Sequence, residues 1–157
     1  MTLGQEFHGW GFTINDEIEN LRAAQEHLKI VNLGATAIGT TVTAAPGYPE
    51  LAVKNLAELT GIDFKNSEDL IAATSDCGAY MTLSSAIKGL AVKMTKVCND
   101  IRLLASGPRC GLKEINLPQL QPGSSIMPGK VNPVAAEVAN QASFLAIGLD
   151  TTVMLAA

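Results

Sequence analysis

Aromatic residues are scarce, at 4% of 157 residues. A core with so few rings must be built from Ala, Leu, Val, Ile and Met. That suits close packing of helices more than a sandwich of aromatic-rich strands. A basic run is also missing and the formal net charge is −4, which excludes the electrostatic footprint of a nucleic-acid binder. Cysteine is limited to Cys77, Cys98 and Cys110. An odd number without metal-ligand spacing reads as reduced thiols of a cytoplasmic protein, not as a disulfide framework. The chain opens without the basic and apolar stretches of a secretory signal. It contains no run of about 18 apolar residues, so no membrane span is expected.

What is present is a globular balance. Hydrophobic residues make up 47% and charged residues 17%, enough for a real core and too apolar for disorder. Phe7, Trp10, Ile14, Ile18, Leu21 and Leu28 recur at spacings of three, four or seven and predict a helix over residues 3–33, with Gly34 as its stop. Residues 32–48, rich in Gly, Thr and Ala, read as a tight crossing or loop. A short helix follows, with Pro49 in its first turn, Leu51, Leu56 and Leu59 on its apolar face and Gly61 at its end. Residues 62–66 form a polar connector.

The next stretch predicts one long helix over residues 68–105. Ser67 is a suitable cap, with Glu68 and Asp69 in the first turn. Tyr80, Leu83, Ile87, Leu90, Met94, Val97, Ile101 and Leu104 then alternate spacings of three and four, a heptad seam. A helix of that size would reach roughly 57 Å at about 1.5 Å per residue. Two such helices, packed near-antiparallel, need partners along their whole length. The expected fold is therefore all-α, with residues 1–157 as part of one helical-bundle domain whose remaining partners are further segments or other subunits. A last helix is expected from Pro133 towards Ala157, capped by Asn132 and carrying Val134, Val138, Ala142, Leu145 and Ala146 on its apolar face.

Between these helices, residues 109–131 are punctuated by glycine and proline. They end in GSSIMPGKVNP, residues 123–133. Gly123 leaves room for backbone N–H groups to point at a ligand, Ser124 and Ser125 offer hydroxyls, Lys130 a fixed positive charge and Asn132 an amide. Donors and a cation with no carboxylate among them make a credible anion site. A surface turn leading into an ordinary helix cap is the competing reading.

The eleven residues GSSIMPGKVNP resemble the signature loop of the aspartase/fumarase superfamily. The likeness extends along the chain: TLGQEF at residues 2–7, LGATAIGT at 33–40 and NDIRLLASGPRCGL at 99–112 resemble its long helices and the turns that join them. After the loop, NPVAAEVANQ at residues 132–141 resembles the aspartase pattern NPVxPEVxNQ, with Ala136 in place of the second proline, more than the NPTQCEA of fumarases. EINLPQLQPGSS at 114–125 points the same way. Fumarase, or a relative acting on another amino-dicarboxylate, remains an alternative, as does an inactive helical assembly module.

The resemblance implies elimination of a group from a dicarboxylate through an aci-carboxylate intermediate, for aspartate giving fumarate and ammonia. It implies that Ser124 is the base and that the backbone N–H groups of Ser125, Ile126 and Met127 meet the developing carboxylate charge. Lys130 and Asn132 would hold the substrate carboxylates, and Glu137 would be a catalytic carboxylate paired to an active-site histidine. Arg109 is read as structural, or as a support for the base. No metal or organic cofactor is implied, and the expected partners are a small dicarboxylate and further copies in a homotetramer. Two departures stand out. Thr41, Val42, Thr43 and Ala44 replace the family's TGLN, and neither His8 nor His27 matches the active-site histidine. The superfamily's other substrate-binding segments are not in this chain, so it is expected to be a piece of the central region and inactive alone.

Overall fold

A computed structural model describes residues 1–157. Five helices carry the fold: α1 (Leu3–His27), α2 (Tyr48–Thr60), α3 (Leu70–Ser75), α4 (Gly78–Leu104) and α5 (Val134–Ala156). The only strands are β1 (Ile30–Val31) and β2 (Lys65–Asn66), paired in parallel. The all-α expectation holds, with two changes to the element bounds.

First, α1 ends at His27 rather than near Leu33. The backbone of residues 29–31 is taken by a distant partner: the Lys65 N–H donates to the Lys29 carbonyl and the Ser67 N–H to the Val31 carbonyl, both at 2.9 Å. A pattern read along one segment cannot reveal such pairing. Second, the single helix expected over 68–105 is two helices broken at Asp76 and Cys77. Asp76 is extended (φ −81°, ψ 125°). Its carboxylate accepts the Gly78 N–H at 3.0 Å, while the Cys77 carbonyl accepts from Tyr80 and Met81 to start α4. A short acidic side chain bonding its own backbone is the usual competitor of helix continuation. Asp69, not Ser67, caps α3, accepting from the Ile71 and Ala72 N–H groups. What remains of the long helix, α4, has 27 residues, or about 40 Å.

The chain falls into two compact units. One comprises residues 19–86 and 153–157. Here α2 runs between left-handed glycines Gly47 and Gly61, and the Gly61 N–H closes the helix on the Ala57 carbonyl as expected. Ala35, Val53 and Pro49 are buried. Gly39, in LGATAIGT, has φ +83°, and a Cβ there would lie 2.4 Å from the Ile71 Cα. Only glycine serves where that turn crosses the start of α3.

The other unit comprises residues 1–18 and 87–152 and contains the loop of interest. The first part of α1 runs antiparallel to α4: Glu17 pairs with Lys93, and seven residues earlier the Trp10 ring lies 5.7 Å from the Lys96 ammonium. α5 is antiparallel to α4 in turn. Lys88 pairs with Asp150, Asn99 with Asn140, and Arg102 with Glu137. Trp10, Ala91, Cys98 and Ala136 form the buried apolar core.

The inward face of α5 is unlike the one expected. Its buried residues are Ala136, Asn140, Ser143 and Asp150, while Val138, Phe144, Leu145 and Leu149 are exposed. The expected apolar stripe through Val138 and Leu145 thus faces outward. On α4, Tyr80 and Ile87 of the expected seam are exposed as well, and the rest of the seam is half-buried. A helix polar inside and apolar outside is built to be covered on both sides.

Candidate active site

The site begins where α4 stops. The Ser106 N–H donates to the Leu103 carbonyl, and the chain hooks back on itself at once. The Lys113 N–H reaches the Ser106 carbonyl at 2.7 Å, the Glu114 N–H reaches the Leu104 carbonyl at 2.9 Å and the Leu112 N–H reaches the Ser106 Oγ at 3.2 Å. These bonds satisfy carbonyls that the helix end would otherwise leave open. They also return Lys113 to the side of α4 that carries Arg102.

The GSSIMPGKVNP segment is a second closed loop. A Cβ on Gly123 (φ +78°) would lie 2.3 Å from the Lys130 carbonyl oxygen, so the two ends of the loop touch. At its far side the Lys130 N–H donates to the Met127 carbonyl at 3.2 Å across Pro128 and Gly129 (φ +80°). Proline followed by a left-handed glycine is the preferred sequence of a type II turn. The Ile126 N–H donates to the Ser124 Oγ at 3.2 Å. That bond commits one of the three N–H groups expected to face a substrate.

The loop leads into α5 with a small shift of register. The helix starts at Val134, and its first turn closes when the Glu137 N–H donates to the Pro133 carbonyl at 3.0 Å. Asn132 therefore stands one position further out than a cap, with its carbonyl accepting the Val134 N–H.

Between the hook, the end of α4 and the start of α5 lies an open cleft of about 650 Å³. Lys130, Asn132 and Glu137 line it, so three of the expected site residues come together. Ser124, Ser125, Ile126 and Met127 do not line it. Ser124 is half-buried within its loop, Ser125 is exposed, and Ile126 is 83% exposed at the tip. Arg109 lies exposed on the hook and outside the cleft wall.

Two cations of the wall were missed in the sequence, Arg102 and Lys113. Arg102 Nη2 stands 3.8 Å from Glu137 Oε1, and both side chains are a little over 40% exposed. Glu137 therefore has an arginine as its charged neighbour within this chain. Neither His8 nor His27 reaches the cleft wall. Facing cations with a single carboxylate among them give the cleft a positive field, which favours an anionic ligand.

Beneath the loop exit an apolar cavity of about 290 Å³ is lined by Cys98, Ile101, Leu117 and Ala136, among others. Burial pushes the Cys98 thiol above its ordinary pKa, and the nearby Arg102 charge opposes that only in part.

The sequence profile of a family described as lyase matches residues 1–148. The chain belongs to this lyase family. Within it, the chain is 60% identical to the aspartate ammonia-lyase of Escherichia coli (strain K12) across all of its residues, and 53% identical to that of Helicobacter pylori (strain 26695). It spans 33% and 34% of those relatives, about a third of their length. Its fold matches a fumarate lyase:delta crystallin structure from Brucella melitensis with a TM-score of 0.94 and 47% identity, over 99% of this chain and 34% of the other. It matches the class II fumarase of Schistosoma mansoni with a TM-score of 0.92 and 30% identity, over 100% of this chain and 36% of that one. The lyase family accounts for the loop and for the long helices that present it.

Proposed function

We propose that this chain supplies the loop and one cleft wall of an aspartate ammonia-lyase, which eliminates ammonia from L-aspartate to give fumarate. The observation that carries the reading is the cleft itself. Arg102, Lys113 and Lys130 face it with one carboxylate, Glu137, beside a loop whose serine oxygen accepts a backbone N–H. A substrate with two carboxylates suits that field. The identity of 60% to an aspartate ammonia-lyase, against 30% to a class II fumarase, supports ammonia over water as the group eliminated.

In this reading Ser124, deprotonated, takes the Cβ proton of aspartate. The electron pair of the C–H bond passes onto the neighbouring carboxylate. It then returns to form the Cα–Cβ double bond as the Cα–N bond breaks and ammonia leaves. The Cβ proton is weakly acidic, so the charge that builds on the carboxylate must be met as it develops. In this reading the N–H groups of Ser125 and Met127, that of Ile126 once released from Ser124, and the Lys130 cation meet that charge. Asn132 holds the second carboxylate. Glu137 is the catalytic carboxylate of the wall.

Residues 1–157 then form part of one central helical domain of a cytoplasmic homotetramer. The outward apolar row on α5 supports burial against other copies or further segments. The test is a paired assay of the full-length gene product with L-aspartate and with malate. Fumarate formed from aspartate with ammonia release supports the reading, and fumarate formed only from malate replaces it with a hydratase.

A further inference from the structure

Asn140 on α5 is almost wholly buried, at 3% exposure. Its Nδ2 donates to Asn99 Oδ1 on α4 at 2.8 Å. The same oxygen lies 3.4 Å from Arg102 Nη1, and the other terminal nitrogen of that guanidinium, Nη2, lies 3.8 Å from Glu137 Oε1. Residues 99 and 102 are one turn apart on α4, and 137 and 140 are one turn apart on α5. The four side chains thus form two rungs between antiparallel helices, one buried at its α5 end and one open to the cleft.

The two rungs are unequal. The Asn140–Asn99 rung is short, with its Asn140 end buried and its Asn99 end exposed at the cleft. The Arg102–Glu137 rung is open and too long for a hydrogen bond, so as an exposed ion pair it contributes little to stability. An arginine can use both ends of its planar fork, with one end fixed and the other directed. Arg102 stands at the end of α4 and Glu137 in the first turn of α5, where each helix dipole favours the charge present. Asn99, Arg102 and Glu137 all line the cleft. The remaining charged groups of the wall, Lys113 and Lys130, also face it.

We propose that Arg102 is a positioning residue that holds the Glu137 carboxylate at the cleft wall, with its own guanidinium set by Asn99 and the buried Asn140. This rests on the reading of the cleft as the active site of an ammonia-lyase. Arg102 acts through Glu137, so its loss falls more on turnover than on substrate affinity, to which its charge in the cleft contributes a smaller part.

The experiment is a double-mutant cycle on the full-length gene product, using Arg102→Met, Glu137→Gln and the pair, with kcat, KM and melting temperature measured for each. Arg102→Met is expected to lower kcat by about 10-fold, a usual size for coupling between residues in contact, with a smaller rise in KM from the lost cleft charge and the melting point nearly unchanged. The pair should be no slower than Glu137→Gln alone, Arg102→Lys should recover part of the rate, and Asn99→Ala should show a smaller loss of the same kind. Losses that multiply in the pair, or a loss confined to KM, overturn the proposal. Crystal structures of the native protein and of Arg102→Met decide it without turnover. The Glu137 carboxylate should leave its place while α4 and α5 stay fixed, and an unmoved Glu137 overturns the proposal. Absence of any lyase activity in the native protein would sink the ammonia-lyase reading instead, and leave the displacement of Glu137 as the measure of this one.

Discussion

The carbonyl oxygen of Lys130 occupies the space that a Cβ on Gly123 would need, with 2.3 Å between them. This contact closes the GSSIMPGKVNP loop at its base and fixes where Ser124 leaves the chain. It also makes Gly123 a position where a side chain cannot be added without moving the backbone.

Gly123→Ala should open the loop. The left-handed backbone alone costs a residue with a side chain roughly 1–2 kcal/mol, and the clash with Lys130 adds to that. The helices do not depend on this contact, so helical circular dichroism and the melting midpoint of the bundle should change little. Turnover of L-aspartate should drop by more than 10-fold, in keeping with the cost of small misplacements in an active site. An active Gly123→Ala enzyme would mean that the closed loop is not the working one.

Lys130→Met tests the cation at the other end of the same contact. In the proposed site its charge acts on a substrate that is anionic before and during reaction, so both KM and kcat should suffer. Asn132→Ala should follow the same pattern more mildly, having an amide to lose rather than a charge. Steady-state kinetics with L-aspartate checks both. A Lys130→Met variant with native KM would remove this lysine from carboxylate binding.

One part of the cleft wall could be read from the sequence because it is contiguous, while Ser124, Ser125, Ile126 and Met127 of the same loop do not line it. Lys130, Asn132 and Glu137 lie within eight residues on one loop and one helix start, so local order brings them to one wall. Arg102 and Lys113 arrive by tertiary routes, one from the end of α4 and one by the hook that folds back at Ser106. No spacing rule joins them to Glu137. The fold shows the same division. The helical periods gave the main elements, and Gly61 marked a true end. The end of α1 was set by pairing between β1 and β2 across more than thirty residues. The break at Asp76 was set by one carboxylate bonding the Gly78 N–H. The face of α5 was misread because amphipathic reasoning puts the apolar side inward. Here Asn140 and Asp150 bond to α4, Ser143 is buried, and Phe144 and Leu145 are exposed.

Cys98 gives a prediction about pH. Burial raises its thiol pKa above the ordinary value of 9.0, so the neutral form is the one the fold prefers. A group with a raised folded pKa contributes its full stability below the unfolded value and loses it as pH rises through the folded one. Stability should therefore decline from about pH 9 upward, as the unfolded thiol ionises and the folded one resists. Urea midpoints followed across that range should fall more steeply in the native chain than in Cys98→Ala. Equal slopes would place the pH effect elsewhere. Exposed Cys110 should also react with a thiol-alkylating reagent well before Cys98 does.

Whether Ser124 removes the proton is decided by fumarate formation from L-aspartate by the native full-length gene product, by Ser124→Ala and by Ser125→Ala. A positioned base contributes roughly 10²–10⁴-fold, so Ser124→Ala should lose about that much turnover while still binding L-aspartate. Ser125→Ala should lose far less, because alanine keeps the backbone N–H that is its part in the site. Native turnover in Ser124→Ala, with or without loss in Ser125→Ala, would contradict the assignment.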